Sequence, residues 1–314
     1  MKTLAKGIRE RGKVMISTCG EKRSLTIMRA VALTLAVTAC AAQDQQAVEL
    51  LVRGDDMGHT LDVNEGFIKA HTEGILTSAS LMPPAAYFDD AVARCKANPR
   101  LAPGIHVTLM AVVPMRPVSP PGQVPSLIAP DGFFHRGLED FSKANPKIEE
   151  VEREVRAQIQ KCVATGLRFI YLDWHMSSNG GKDRPDIVEL FQRLSREHKL
   201  LYTHDVGDFD GRYSGAKYFP SHLEAWESQR LPNGRLVYWC GPDMPGETRL
   251  KFLETLRNLE PGAWYTICHP GLYERRQAQS VDVLCSQEVK DIIRTRGIRL
   301  ISYADLWNRK FARK

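Results

Sequence analysis

From Ala47 onward, short apolar runs alternate with stretches whose apolar residues recur at helical spacing. Ala47-Val-Glu-Leu-Leu-Val52 is β-rich and ends at Arg53-Gly54-Asp55-Asp56, after which 63–73 reads as a helix closed by Gly74. The same unit recurs as strand 75–82 and helix 85–97, followed by strand 104–109. Ile148, Val151, Val155, Ile159 and Cys162 fall at steps of three and four, which predicts an amphipathic helix stopped at Gly166. Strand 167–172, helix 186–198, strand 200–203, helix 247–259, strand 263–268, helix 281–294 and strand 298–302 complete the series. Repeated β-then-α units imply a parallel sheet covered by helices. About seven units in this length suit a distorted (β/α) barrel of TIM-barrel type, one domain over 47–314, better than an open doubly wound sheet. Two stretches break the rhythm, the proline-rich 110–145 and the aromatic- and glycine-rich 207–245. Long irregular segments of this kind commonly wall or cover a site.

Residues 1–46 carry a different pattern. Eight Lys or Arg and two acids within the first 40 residues precede the apolar run from Ala30 to Ala39, too short to span a bilayer. This reads as a signal segment, and Val37-Thr38-Ala39-Cys40 resembles a bacterial lipobox, with a polar tether following. The expectation is an exported protein, periplasmic or lipid-anchored at Cys40; with Met28 as the initiator it would stay cytoplasmic. Residues 1–40 also account for the whole net charge of +6, because the remainder has 35 basic and 35 acidic residues. A neutral body gives no electrostatic reason to bind nucleic acid. Seven cysteines, five of them past the leader and none in a Cys-x-x-Cys pair, argue against a disulfide framework or a zinc knuckle.

Active sites of parallel α/β proteins lie at the carboxyl ends of the strands. There the chain places Asp55 and Asp56, then His106, then Asp173-Trp174-His175, then Cys268-His269-Pro270-Gly271. Adjacent carboxylates repel unless a cation or proton intervenes, and four strands contributing acids and imidazoles to one rim supply a metal-site inventory with an acid and a base to spare.

These segments resemble the YdjC-like carbohydrate deacetylases, a group that includes chitooligosaccharide and hopanoid-biosynthesis-associated deacetylases. The matching blocks are Leu51-Val-Arg-Gly-Asp-Asp-Met-Gly58, Val63-Asn-Glu-Gly66, Gly74 to Met82, Gly104 to Leu109, Leu172-Asp-Trp-His175 and Cys268-His-Pro-Gly271. The resemblance implies a distorted barrel with one divalent cation, Mg²⁺ or Zn²⁺, held by Asp56, His106 and His175. It further implies Asp55 as catalytic base and His269 as a site histidine able to act as general acid. Asp173 and Trp174 are expected at the substrate, Asp173 alternatively behind the ligand His175. Two positions depart from the family pattern: Arg53-Gly54 stands where Asn-Ala is usual, and Ser177 where a histidine is common. Arg53 is expected to swing away from the site or to bind an anionic substrate.

The function expected is removal of N-acetyl groups from a carbohydrate by metal-activated water. Cleavage of another amide or a phosphoester, and glycan binding without catalysis, stay open as alternatives. The sequence leaves the oligomeric state open, a homodimer included.

Overall fold

The computed structural model describes residues 47–176, 178, 184–203, 216–218, 228–230, 236–238 and 245–311. Its organising strand is β1, Val48–Met57, with ten residues, of which all but two are buried. Sequence reading ends this strand at Val52, yet it runs on through Arg53 and Asp55 because those two charges neutralise each other indoors. Helix α1 (Leu61–Thr72) follows, capped by Thr60, whose side chain accepts from the Val63 amide. Then come β2 (Ser78–Leu81), α2 (Phe88–Ala97) and β3 (Ala102–Val107).

The proline-rich stretch contains two short 3₁₀ turns and α3 (Leu138–Ala144), and leads into α4 (Ile148–Ala164). Next are β4 (Tyr171–Trp174), α5 (Pro185–Glu197), β5 (Leu201–Tyr202), β6 (Ala216–Tyr218), β7 (Ser228–Arg230) and β8 (Leu236–Tyr238). The chain continues as α6 (Pro245–Asn258), β9 (Gly262–Cys268), α7 (Arg275–Cys285), α8 (Gln287–Thr295), β10 (Arg299–Ile301) and α9 (Tyr303–Phe311). The single helix expected over 281–294 is two, because Ser286 is extended and its hydroxyl caps α8 through the Val289 amide.

The sheet runs β5-β4-β3-β2-β1-β9-β6, and β10 pairs the first half of β1; every pairing in it is parallel. Helices cover its outer side, giving the curled half-barrel of a distorted (β/α) barrel. Strand parity divides the core in two. Leu50, Val52, Ile105, Val107, Leu172 and Trp174 pack with the helices. Leu51, Ala102, Tyr171, Tyr265, Ile301 and Tyr303 fill the inner side, where the Tyr171 and Tyr303 rings lie 4.0 Å apart. Gly104 is required there, since a Cβ would sit 2.1 Å from the Tyr171 ring.

Above that aromatic layer the inner positions turn polar: Arg53 and Asp55 on β1, Ser78 and Ser80 on β2, His106 on β3, Asp173 on β4, all buried. Cys95, Cys162, Cys268 and Cys285 form no disulfide with one another, and burial pushes the Cys95 thiol up to about 12. No helix among the described residues is long and apolar enough to cross a membrane. Residues 1–46 with Cys40, expected as a leader, and Ser177, His204, Trp226, Trp239 and Cys240, lie outside the described residues.

Candidate active site

Asp55 and Asp56 are neighbours on a strand, so regular pleating would send their side chains to opposite faces. The backbone breaks that rule at Asp56, which has φ 77°, and the pairing with β2 shifts register between Gly54 and Met57. A left-handed non-glycine residue is strained, and such strain clusters where function needs it. The loop beyond is pinned by Asn64, wholly buried, whose Oδ1 accepts from the Gly58 amide at 2.7 Å and whose Nδ2 donates to Tyr87 O and to Asp90. Gly66 lets α1 approach Gly271 so closely that a Cβ would lie 2.6 Å from its Cα, which seats the Cys268-His-Pro-Gly271 loop beside the end of β1.

These devices bring four of the expected residues together. Asp56 Oδ1 lies 2.8 Å from His175 Nδ1 and 3.1 Å from His106 Nε2, and Asp56 Oδ2 lies 3.9 Å from His269 Nε2. The two ring planes of His106 and His175 meet edge to face at 5.6 Å. One donor atom from each of Asp56, His106 and His175 falls within 4.8 Å of the others, a carboxylate and two imidazoles suited to a divalent cation.

His106 Nδ1 donates to Asp173 Oδ1 at 2.9 Å, which turns Nε2 toward Asp56 as an outer-sphere carboxylate does for a ligating histidine. Burial opposes the charged imidazolium, yet the carboxylates of Asp173 and Asp55 outweigh it and raise His106 to about 10. Burial likewise opposes ionisation of Asp56, but His175 and His106 hold it well below the usual carboxylate range. With neutral imidazoles, three carboxylates against the Arg53 guanidinium leave two negative charges, which one divalent cation balances.

Asp173 is not at the substrate side. It is 1% exposed, and its second oxygen accepts from Ser80 Oγ at 2.6 Å and pairs with Arg53 Nη1 at 3.2 Å. It therefore stands behind His106, on the strand two residues before His175. Trp174 is not a sugar platform here either. Alternation puts it on the helix-facing side of β4, packed in the outer core with its ring 5.7 Å from Tyr202. Arg53, expected to swing away or to bind an anionic substrate, is turned instead to the protein's own carboxylates: it is 6% exposed and grips Asp55 with two hydrogen bonds, Nε to Oδ1 at 2.7 Å and Nη2 to Oδ2 at 2.9 Å. Asp55 consequently sits one layer below Asp56, its carboxylate forming a second cluster with His106 and Asp173.

Asp56, His175 and His269 line a cavity of about 360 Å³. One wall is apolar, made by Met82 and by Ala111, Val112, Val113 and Met115 of the proline-rich stretch, as the broken rhythm of that stretch suggested. The other is polar, with His59, Glu274, Arg276 and Gln277. Sequence reading set His59 aside for want of a motif and did not consider the other three. His59 follows β1 by two residues, and the other three open α7 directly after the Cys-His-Pro-Gly block, so position relative to strand ends was the available signal.

The YdjC-like protein model matches residues 49–295. A carbohydrate deacetylase from Enterococcus faecalis is 29% identical over 270 residues, 82% of this chain and 98% of the relative. A carbohydrate deacetylase from Brevibacillus brevis is 27% identical, over 82% of this chain and all of the relative. A crystal structure from Enterococcus faecalis V583, provisionally named a cellobiose-phosphate cleavage protein, superposes with a TM-score of 0.65 at 26% identity, covering 83% of this chain and 99% of that one. A match that spans every strand-end block of the site, from Asp55 to Gly271, together with relatives aligned nearly end to end, leads to one conclusion: the chain belongs to the YdjC-like protein family.

Proposed function

We propose that the protein is a metal-dependent carbohydrate deacetylase that hydrolyses N-acetyl groups on amino sugars. The observation that carries this reading is the Asp56–His106–His175 cluster, of which Asp56 and His175 line a cavity with apolar and polar sides while His106 is buried behind them. The carbohydrate deacetylases among its relatives support the substrate class.

Asp56, His106 and His175 would hold the ion, with Asp173 fixing the His106 tautomer. A bound divalent cation polarises the amide carbonyl and makes water a stronger acid. Asp55 has oxygen lone pairs left over from its two bonds to Arg53 and accepts the proton of the attacking water. His269, which faces the cavity, donates a proton to the departing nitrogen. The apolar wall receives the acetyl methyl group and a sugar face, while Glu274, Gln277 and Arg276 meet hydroxyl groups.

The decisive experiment is acetate release from N-acetylglucosamine oligomers by residues 47–314, measured as purified, after chelation, and after return of Zn²⁺ or Mg²⁺. Release that follows the metal and is absent from Asp55→Asn supports the reading. Phosphate release from phosphosugars in place of acetate, or binding of the oligomers without turnover, would replace it.

A further inference from the structure

The least expected group in the site is Arg53. It belongs to the inner face of β1, two residues before Asp55, so strand pleating alone puts the guanidinium and the carboxylate side by side. Its fork closes on both oxygens of Asp55 at 2.7 and 2.9 Å, while Nη1 reaches Asp173 Oδ2 at 3.2 Å and the Tyr303 hydroxyl at 3.5 Å. Gly54 between them is forced, because a Cβ there would lie 2.5 Å from the Phe67 ring of α1, so the segment cannot shift outward. Two clusters of donor atoms share His106: Asp56–His106–His175, and Asp55–His106–Asp173. The second has two carboxylates and an imidazole, an oxygen-rich donor set attractive to a divalent ion, but Arg53 already supplies its cation.

We propose that Arg53 is a positioning residue: its guanidinium fixes Asp55 beside the metal centre and withholds Asp55 and Asp173 from ligation, so that the paired clusters take one divalent ion, at Asp56, His106 and His175. The proposal rests on the reading of those three residues as a metal centre. An arginine fork suits this task because it is planar, holds two oxygens at once and keeps its charge when buried. A lysine would keep the charge and lose the geometry.

The test is metal binding to the chelated protein, by calorimetry with Zn²⁺ and by elemental analysis after dialysis, in the wild type, Arg53→Met, Arg53→Lys and the double variant Arg53→Met/Asp55→Asn. The wild type is expected to bind one equivalent. Arg53→Met is expected to gain a second, weaker equivalent, which the double variant loses again. Arg53→Lys is expected to bind one equivalent while kcat for acetate release falls about 10- to 100-fold at nearly unchanged KM, the signature of a displaced carboxylate. A role in folding alone would lower the melting temperature of both single variants without moving stoichiometry or kcat. One equivalent in Arg53→Met, with kcat in Arg53→Lys within twofold of wild type, overturns the proposal. The expected stoichiometries without acetate release from any variant would overturn the deacetylase reading and leave the Arg53 assignment standing. A wild type that binds no metal would overturn both.

Discussion

Asp173 accepts a hydrogen bond from His106 Nδ1 at 2.9 Å, and that single contact decides which nitrogen of His106 faces Asp56. A side chain expected either at the substrate or behind a histidine is thus the group that orients His106. Asp173→Asn keeps the shape but allows the amide to present its NH₂ to Nδ1, which destabilises the required tautomer. Metal affinity is expected to fall about 10- to 100-fold, with KM for the sugar unchanged once metal is saturating. A raised KM at saturating metal would instead place Asp173 against the substrate.

Metal uptake at Asp56, His106 and His175, as proposed above, would be a proton exchange, because neighbouring carboxylates raise His106 to about 10. In the metal-free protein the imidazolium contributes stability fully below its unfolded pKa of about 6.5, and that contribution is lost as pH climbs through about 10. Asp56 shifts the other way, so its contribution is present above about 3.8 and is lost as pH falls. Melting temperature of the metal-free protein is therefore expected to decline between pH 7 and 10, and the metal-loaded protein to be flatter over the same range. Calorimetry at pH 7 in two buffers of different ionisation enthalpy should register about one proton released per ion bound. Identical heats in both buffers would show that no proton leaves and that His106 is neutral before the metal arrives.

The catalytic assignment separates by variant. Asp55→Asn is expected to keep one equivalent of metal and lose turnover by about 10² to 10⁴, because the base is gone while Asp56, His106 and His175 remain. His106→Ala and His175→Ala are expected to lose both metal and turnover. Retained turnover in Asp55→Asn at neutral pH would move the base to another group, with His269 the first candidate on position.

The apolar wall depends on a row of polar residues along one face of α4. Glu150, Glu154 and Gln158 are spaced four apart and buried. Glu154 accepts from the Val118 and Ser119 amides at 2.9 and 2.8 Å, Glu150 from the Ser126 amide at 2.6 Å, and Gln158 pairs with both the amide and the carbonyl of Thr108. Glu154→Ala leaves two backbone amides without partners, at about 1–3 kcal/mol each. The expected result is a lower melting temperature and a higher KM, with metal stoichiometry intact; an unchanged KM would detach this anchoring from the cavity wall.

Export is the prediction that belongs to the leader. Expressed from Met1 in a bacterial host, the protein is expected in the membrane fraction with fatty-acid label, and Cys40→Ala is expected to shed the label. Full retention in the cytosol without label would overturn the export reading.

Periodicity made most of the architecture legible. The spacing of Val151, Val155, Ile159 and Cys162 gave a helix because a wholly apolar stripe at 3.6 residues per turn has one low-energy burial, and the repeated β-then-α order gave a parallel sheet. The residues gathered around Asp56 were equally visible, since Asp56, His106, His175 and His269 all stand at or just beyond strand ends. What the linear chain could not weigh was competition among charges brought together from different strands. Arg53 was expected to swing away or to bind an anionic substrate; pleating sets it beside Asp55 on its own strand, and only β4 brings the second carboxylate, Asp173, that makes its burial favourable. Asp173 was expected either at the substrate or behind a histidine, and β3 decides it by setting His106 against it. Trp174 was decidable from pleating alone, because it alternates with an inward Asp173. Local patterns fix which faces are buried; the partners that let charge be buried come from distant segments, and they are set by the fold.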